Sequence, residues 1–182
     1  MTVIRFFKIF SITIITAILI LIIIGGLASV STYFTKTQII KSPISVVWRK
    51  LVDVDNYSSW QFSVKKAEVI NGSVLGKDKI LRFYMTDYDS TIYHEAQITQ
   101  YEDDKTLTFM RTGDNISPFL RDYQTSYNLK RLMDGTTEIS VTVSYKTMGF
   151  ITKIYNQVYL RHKLGSRSEQ NLALLKNSIE KM

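Results

Sequence analysis

The longest apolar stretch of the chain lies near its N-terminus. Residues 9–35 form a run of 27 residues without a charged side chain, and Ile and Leu dominate its centre. The hydrocarbon core of a bilayer is about 30 Å thick and needs roughly 20 apolar residues in helical form. The pattern therefore predicts one transmembrane anchor, which contacts the membrane from Ile9 to Leu27.

The charges that flank this run predict its orientation. Arg5 and Lys8 precede the run, whereas Lys36 and Lys41 follow it. Positive charges favour the cytoplasmic side of a membrane. Arg5, Lys8 and the terminal amine therefore predict an N-terminus in the cytoplasm and a domain on the extracytoplasmic side of the cell membrane. A cleaved secretory signal is the alternative, because residues 26–28 (Gly-Leu-Ala) fit a small-x-small cleavage pattern. The core of such a signal usually spans only about 7–15 residues.

The spacing of apolar positions after this run predicts one α+β domain. A first strand is predicted at 35–41, followed by Ser42 as a helix N-cap, Pro43 at the first helical position and a helix from Ile44 to about Asp53. The period then changes from 3.6 to 2 residues. Six further strands are predicted at 64–71, 79–86, 91–102, 106–112, 121–133 and 136–147. We therefore divide the chain into a tail and anchor over 1–35 and a single domain over 36–182.

The helical period returns at Phe150 and continues for about thirty residues. Steps of three and four residues give one stripe: Ile151, Ile154, Val158, Arg161, Gly165, Ser168, Leu172, Leu175 and Ile179. Both ends of this stripe are apolar but its middle is small and polar, unlike the buried face of an ordinary core helix. The pattern favours one long helix, and the alternative is a break near Gly165 that divides it into two shorter helices.

Composition excludes several kinds of site. The chain has no cysteine, which excludes disulfides and a lipoprotein anchor, and its two histidines have no neighbouring acidic cluster, so no metal site is predicted. It has no glycine-rich phosphate loop or nucleophile elbow, and no cofactor is expected. The net charge is +7, but Lys and Arg form no clustered run, so nucleic acid is not an expected partner.

The parity of the predicted strands indicates candidate ligand-binding residues. Their apolar faces also carry an arginine, a histidine and tyrosines, which is the mixture of side chains typical of a ligand pocket. The residues so placed are Phe83, Met85, His94, Phe109, Arg111, Tyr127 and Tyr145. A plain core, in which each tyrosine sends its hydroxyl to water, fits the same pattern, and the residues alone leave both interpretations open.

One stretch resembles a known family. The run Ser42-Pro43-Ile44-Ser45-Val46-Val47-Trp48, continued by Asp53, Asn56, Tyr57 and Trp60, resembles the polyketide cyclase/dehydrase and lipid-transport branch of the START-like (SRPBCC) superfamily. The resemblance covers roughly residues 36–181 and implies a helix-grip fold, in which a curved antiparallel sheet wraps around a long C-terminal helix. It also implies an apolar cavity between them, crossed by the helix at Gly165 and Ser168. It transfers no catalytic residue, and Gln61 departs from the family's usual proline in a local turn.

These observations predict a membrane-anchored domain that binds a hydrophobic small molecule, a lipid or an apolar metabolite, between the sheet and the C-terminal helix. Val158 and Arg161 complete the predicted site. Arg161 is expected either at the cavity mouth, where it would meet the head group of an acidic amphiphile, or facing solvent. Two other functions remain open: a polyketide cyclase or dehydratase with His94, Arg111 or a tyrosine as proton donor, and a non-binding protein-interaction domain.

Overall fold

The computed structural model describes residues 2–27, 30–87, 90–112 and 119–181. The first elements are helix α1 (Thr2–Leu27), strand β1 (Ser31–Ile40), helix α2 (Ile44–Val52) and a 3₁₀ helix (Val54–Ser59). Six further strands follow within the described residues: β2 (Val64–Val69), β3 (Ile80–Asp87), β4 (Ser90–Glu102), β5 (Thr106–Thr112), β6 (Leu120–Arg131) and β7 (Thr137–Thr147). The C-terminal helix comprises α3 (Phe150–Tyr155), a π-helical turn (Asn156–Leu160) and α4 (Arg161–Glu180).

The seven strands form one antiparallel sheet in the order β1-β7-β6-β5-β4-β3-β2. The chain therefore runs as a meander from β2 to β7, and β1 pairs with β7 at the far edge. Each predicted strand is present, and β5 has the predicted bounds. β1 begins at Ser31 rather than at Thr35. The sequence concealed this earlier start because residues 31–35 are uncharged and continue the apolar run before them.

The alternation along β7 shows which face of the sheet is buried. Ile139, Val141, Val143 and Tyr145 are each at most 2% exposed. Most of the positions between them are partly exposed. The four side chains belong to one buried cluster with Leu172 of α4. The predicted dry face of this strand is therefore confirmed, and it turns toward the C-terminal helix.

Helix α2 buries the apolar face that its spacing predicts. Val47, Trp48 and Leu51 are all buried. The prediction that Ser42 caps this helix is wrong, since the N-cap residue is Pro43 and no side chain caps the helix. Ser42 lies one position earlier, where its carbonyl oxygen accepts a 2.8 Å hydrogen bond from the Thr137 hydroxyl and so joins this turn to β7.

The C-terminal helix is continuous from 150 to 180, so the alternative of a break near Gly165 is wrong. Gly165 is buried within α4. A β-carbon added to it would lie 3.5 Å from Cε of Lys36. Gly165 therefore packs against β1 and does not face the cavity, contrary to the expectation drawn from the family resemblance. Packing against the sheet offsets the cost of about 1 kcal/mol that glycine carries inside a helix.

The structure does not support the predicted transmembrane anchor from Ile9 to Leu27. Among the residues described, no helix is both long enough and apolar enough to cross a membrane. Residues 28 and 29 of the uncharged run lie outside the described residues.

Candidate functional site

A cavity of about 360 Å³ lies between the buried face of the sheet and the C-terminal helix. Strands β3 to β7 form one wall, and the C-terminal helix forms the opposite wall. Gln61 and Phe62, which follow the 3₁₀ helix, and Val64, the first residue of β2, line one end. Small-molecule pockets usually occupy about 300–1,000 Å³, so this cavity has room for one small ligand.

The strand register brings the sheet side chains of the cavity to one face. Phe83 of β3 lies directly opposite His94 of β4, and Ala96 of β4 lies opposite Arg111 of β5. The same register continues through β5 and β6 to Val143 of β7. Directly paired residues of antiparallel strands project on the same side of the sheet. The two polar groups, His94 and Arg111, therefore share a wall with apolar neighbours.

Aromatic rings make up much of this wall. The His94 ring stacks on Phe83, with centroids 5.0 Å apart and an angle of 18° between the rings. Phe109 meets both Phe83 and Tyr127 edge-on, with centroids 6.2 Å apart in each pair. These contacts hold the rings in fixed orientations and leave a flat apolar surface beside one imidazole.

The opposite wall comes from one face of the C-terminal helix. Its cavity residues include Leu160, Leu164, Arg167 and Asn171, at steps of four, three and four. The backbone N–H of Phe62 donates to Oδ1 of Asn171 at 2.8 Å, and Nη2 of Arg167 donates to the Phe62 carbonyl at 3.1 Å. The backbone N–H and the carbonyl of Phe62 are thus both hydrogen-bonded to α4. These bonds fix the loop at the end of the cavity.

The cavity opens to the surface beside the π-helical turn. A second, shallower depression shares four lining residues with the cavity: Phe62, Met85, Lys163 and Arg167. It adds residues from both sides of the opening, namely Ser63, Ile92, Val158, Tyr159, His162, Ser166 and Gln170. Because the two spaces have walls in common, we call the shallower one the mouth of the cavity.

The environment of His94 favours the neutral imidazole. Burial, and to a smaller extent the guanidinium groups of Arg111 and Arg167, lower the pKa of His94 to about 4. Its Nδ1 atom is buried and has no hydrogen-bond partner among the described residues. At neutral pH the cavity therefore contains an uncharged histidine beside two cationic side chains.

Burial also controls the other ionisable groups of the cavity. It lowers the pKa of the Arg111 guanidinium, an effect that the neighbouring Tyr123 opposes and Arg167 reinforces. It raises the pKa of Tyr127 and of Tyr123, so both phenols stay protonated at neutral pH. Among the described residues, no three His, Asp or Glu side chains are grouped so that they could hold a metal ion.

Six of the nine predicted site residues line the cavity: Phe83, Met85, His94, Phe109, Arg111 and Tyr127. Tyr145 is buried beside it, where its hydroxyl donates to Oδ1 of Asn156 at 2.5 Å. Val158 lies at the mouth and is 64% exposed. Arg161 is exposed and lines neither the cavity nor its mouth. The structure thus brings six of these residues together and leaves their role in binding a prediction.

The helix stripe was misplaced by about one residue. The predicted stripe through Gly165 lies toward β1, as the 2.6 Å ion pair between Lys36 and Glu169 also shows. Of the two stripe positions expected at the cavity, Ser168 lines it and Gly165 does not, and other helix residues of the lining, such as Leu164 and Arg167, lie one position before a stripe residue. A π-helical turn closes hydrogen bonds five residues apart, so constant steps of three and four fail across residues 156–160.

Several polar lining residues were missed, among them Tyr123, Arg167 and Asn171. Tyr123 shares the parity of Tyr127 on β6 and could have been found by the same alternation. Arg167 and Asn171 carry no such signal, because a polar side chain on a mainly polar helix is normally solvated. Only the packing of the helix against the sheet assigns these two residues to the cavity.

Comparison with known proteins gives a match of fold only. No family model and no curated protein matches the chain. Among solved structures, the Zhui aromatase/cyclase from Streptomyces sp. R1128 aligns with a TM-score of 0.68 at 14% identity, over 83% of this chain and 94% of that one. Ara h 8.0201 aligns with a TM-score of 0.66 at 14% identity, over 84% and 99% of the two chains.

A third similar structure is the di-domain ARO/CYC StfQ from the steffimycin biosynthetic pathway. It aligns with a TM-score of 0.68 at 13% identity, over 84% of this chain and 51% of that chain. Likenesses at such low identity show the fold alone. They confirm the α+β helix-grip architecture that the START-like resemblance implied: an antiparallel sheet against a long C-terminal helix, as in these aromatase/cyclases and Ara h 8.0201.

Proposed function

We propose that this chain binds a hydrophobic small molecule in the cavity between the sheet and the C-terminal helix. The observation that carries the proposal is the cavity itself, which has about 360 Å³ of space, an aromatic wall and an opening to the surface. A core without a ligand is normally packed to crystal density, with few voids larger than a water molecule. An open cavity of this size therefore favours a binding protein over a domain that only contacts protein partners.

The ionisation of the cavity residues favours binding over acid catalysis. A general acid works best when its pKa lies near the ambient pH. His94, with a pKa of about 4, is not in the imidazolium form that would act as a general acid at neutral pH. Burial moves the pKa of Tyr127 further above neutrality, and the pKa of the Arg111 guanidinium is lowered from a value far above it. None of the three proton donors expected for a cyclase or dehydratase therefore has a pKa near neutral pH.

The proposal can be tested with a photoreactive dodecyl chain that carries a diazirine. The full chain in phosphatidylcholine nanodiscs is irradiated with the probe in its alcohol form and in its carboxylate form, and cross-linked peptides are identified by mass spectrometry. Cross-links from at least one form are expected within 83–111, 123–143 and 160–171. Their absence for both forms would overturn the proposal.

A cavity-filling substitution makes this test specific. Ser168 lines the cavity. The Ser168→Leu substitution adds apolar volume there without harming helix propensity and should reduce the cavity cross-links severalfold. Ala173→Leu is the matched control, because Ala173 is exposed on the same helix and does not line the cavity. Equal cross-linking of Ser168→Leu and Ala173→Leu would show that the probe binds elsewhere.

We also propose that α1 holds the domain at the extracytoplasmic side of a membrane. The support is the uncharged run over 9–35 and the exposure of apolar side chains along α1, for example 66% for Ile9 and 63% for Ile12. Exposed apolar patches of this extent usually mark an interaction surface. Protease added to intact cells should digest the domain, and full protection would contradict this location. Extraction with alkaline carbonate distinguishes an embedded helix from one bound only at the surface.

A further inference from the structure

Cationic side chains gather at one part of the cavity. Arg111 projects from the sheet wall, and Lys163 and Arg167 project from the helix wall. None of the described residues that line the cavity is Asp or Glu. His94 adds no positive charge at neutral pH, because its pKa is lowered to about 4. The lining therefore carries three positive charges and no negative charge of its own.

The guanidinium groups of Arg111 and Arg167 act electrostatically on the same part of the cavity. Both lower the pKa of His94, and Arg167 also lowers the pKa of Arg111, as like charges do when they lie close together. Burial also lowers the pKa of the Arg111 guanidinium. The electrostatic potential of the cavity is therefore positive between β5 and α4.

The described contacts of Arg167 leave its charge uncompensated. Its Nη2 atom donates to the Phe62 carbonyl at 3.1 Å and lies 3.8 Å from Sδ of Met85. Its guanidinium also lies 5.8 Å from the centroid of the Phe62 ring. All these partners are neutral. They hold the guanidinium at the cavity mouth without neutralising it, which leaves it available to an anion.

The rest of the cavity is suited to an apolar body. Phe83, Phe109, Val141 and Val143 line the sheet wall, each at most 6% exposed. We propose that the cavity selects anionic amphiphiles, with a carboxylate or similar acid group between Arg111 and Arg167 and the apolar part against these side chains. Guanidinium groups recognise such planar oxyanions by paired, charge-assisted hydrogen bonds. This inference rests on the proposed binding function and adds the chemical class of the ligand.

The two forms of the photoreactive dodecyl probe test the inference directly. They differ only in the terminal group, carboxylate or alcohol, and the phosphatidylcholine nanodisc carries no net charge. We expect the carboxylate form to reach half-maximal cross-linking of cavity peptides at a concentration at least about tenfold lower than the alcohol form. That factor corresponds to the lower end of the range for a hydrogen bond to a charged group.

Substitutions assign the preference to the two arginines. Arg167→Gln and Arg111→Gln should each weaken cross-linking of the carboxylate form by about tenfold or more, and should weaken it more than cross-linking of the alcohol form. Arg161→Gln is the matched control, because Arg161 is exposed on the same helix but lines neither space. Arg111→Lys keeps the charge and should retain part of the preference, which separates loss of binding from misfolding.

The outcomes distinguish this inference from the function on which it rests. Equal cross-linking by the carboxylate and alcohol forms, unaffected by Arg167→Gln, would overturn the anionic selection and leave hydrophobic binding in place. A preference for the carboxylate that Arg161→Gln removes as fully as Arg167→Gln would place the recognition outside the cavity and also overturn the inference. No cavity cross-links from either form would overturn the proposed function itself.

Discussion

The buried histidine of the cavity should make the domain less stable as the pH falls. The pKa of His94 is lowered from 6.5 to about 4 in the folded chain, first by burial and then by Arg111 and Arg167. An unfolded chain takes up a proton at His94 near pH 6.5, whereas the folded chain does so only near pH 4. Protons therefore favour the unfolded state between these two values, and His94 stabilises the fold fully only above about pH 6.5.

The size of the effect follows from the two pKa values. The full difference of 6.5 and about 4 corresponds to about 3 kcal/mol of unfolding free energy. Between about pH 7 and pH 4.5 the expected loss is about 2 kcal/mol, since the folded chain begins to bind the proton near the lower limit. Replacing His94 by Gln removes this proton uptake. The wild-type chain should therefore lose about 2 kcal/mol more than His94→Gln over this interval.

Urea denaturation followed by tryptophan fluorescence measures this difference. The chain has two tryptophans, Trp48 and Trp60, and both are buried in the domain, so their emission reports on the domain even in the full chain. Hydrogen bonds from Lys66 and Lys105 lower the pKa of Glu68 and Glu102 respectively. These carboxylates also weaken the fold at low pH. They do so equally in both proteins, and the comparison with His94→Gln removes their contribution.

An exposed histidine provides the control for this experiment. His162→Gln is the matched substitution, because His162 lies at the cavity mouth and is exposed. Equal pH dependence in wild type and His94→Gln would refute the reasoning, because the imidazole would then have the same pKa in the folded and unfolded chains. A wild-type chain that becomes more stable on acidification would refute the direction of the shift.

Two further predictions concern the junction of β1 with the rest of the fold. Tyr145→Phe should lower the unfolding free energy by about 1–3 kcal/mol in the same assay, because Oδ1 of Asn156 loses its buried hydrogen-bond donor. Tyr33→Phe is the control and should change the unfolding free energy little, because Tyr33 is 73% exposed. A truncated chain that starts at Val30 should unfold cooperatively and at a higher urea concentration than a chain that starts at Lys36. The reason is that the shorter chain lacks the first five residue pairs between β1 and β7. Equal urea midpoints of unfolding for the two chains would contradict this prediction.

Simple periodicity was sufficient to predict most of the sheet. Ile139, Val141 and Val143 alternate with polar neighbours, and a strand with one buried face leaves little freedom in register. The same alternation placed Phe83 and Arg111 on the cavity side. These predictions succeeded because the side-chain direction in a strand depends only on local parity.

The helix wall could not be predicted in this way. Its orientation depends on the π-helical turn at 156–160 and on a polar contact that links distant parts of the chain. Asn156, 3% exposed, accepts from Tyr145 and donates to Thr32 at 2.8 Å, so it joins the helix to β7 and β1. An asparagine within a helical segment gives no local sign of such a role. Arg161 was therefore placed in the site and Arg167 was missed.

The cavity follows from a mismatch between the widths of the sheet and of the helix that packs on it. Seven strands about 4.8 Å apart make a sheet nearly three times as wide as a helix about 10–12 Å in diameter. The salt bridge between Lys36 and Glu169 and the packing of Gly165 hold α4 toward the β1 edge. Helix α2 and Trp60 fill part of the remaining width. Residues such as Ala96, which is small and 5% exposed, leave the middle of the sheet unfilled, so the space for a ligand is built into the fold.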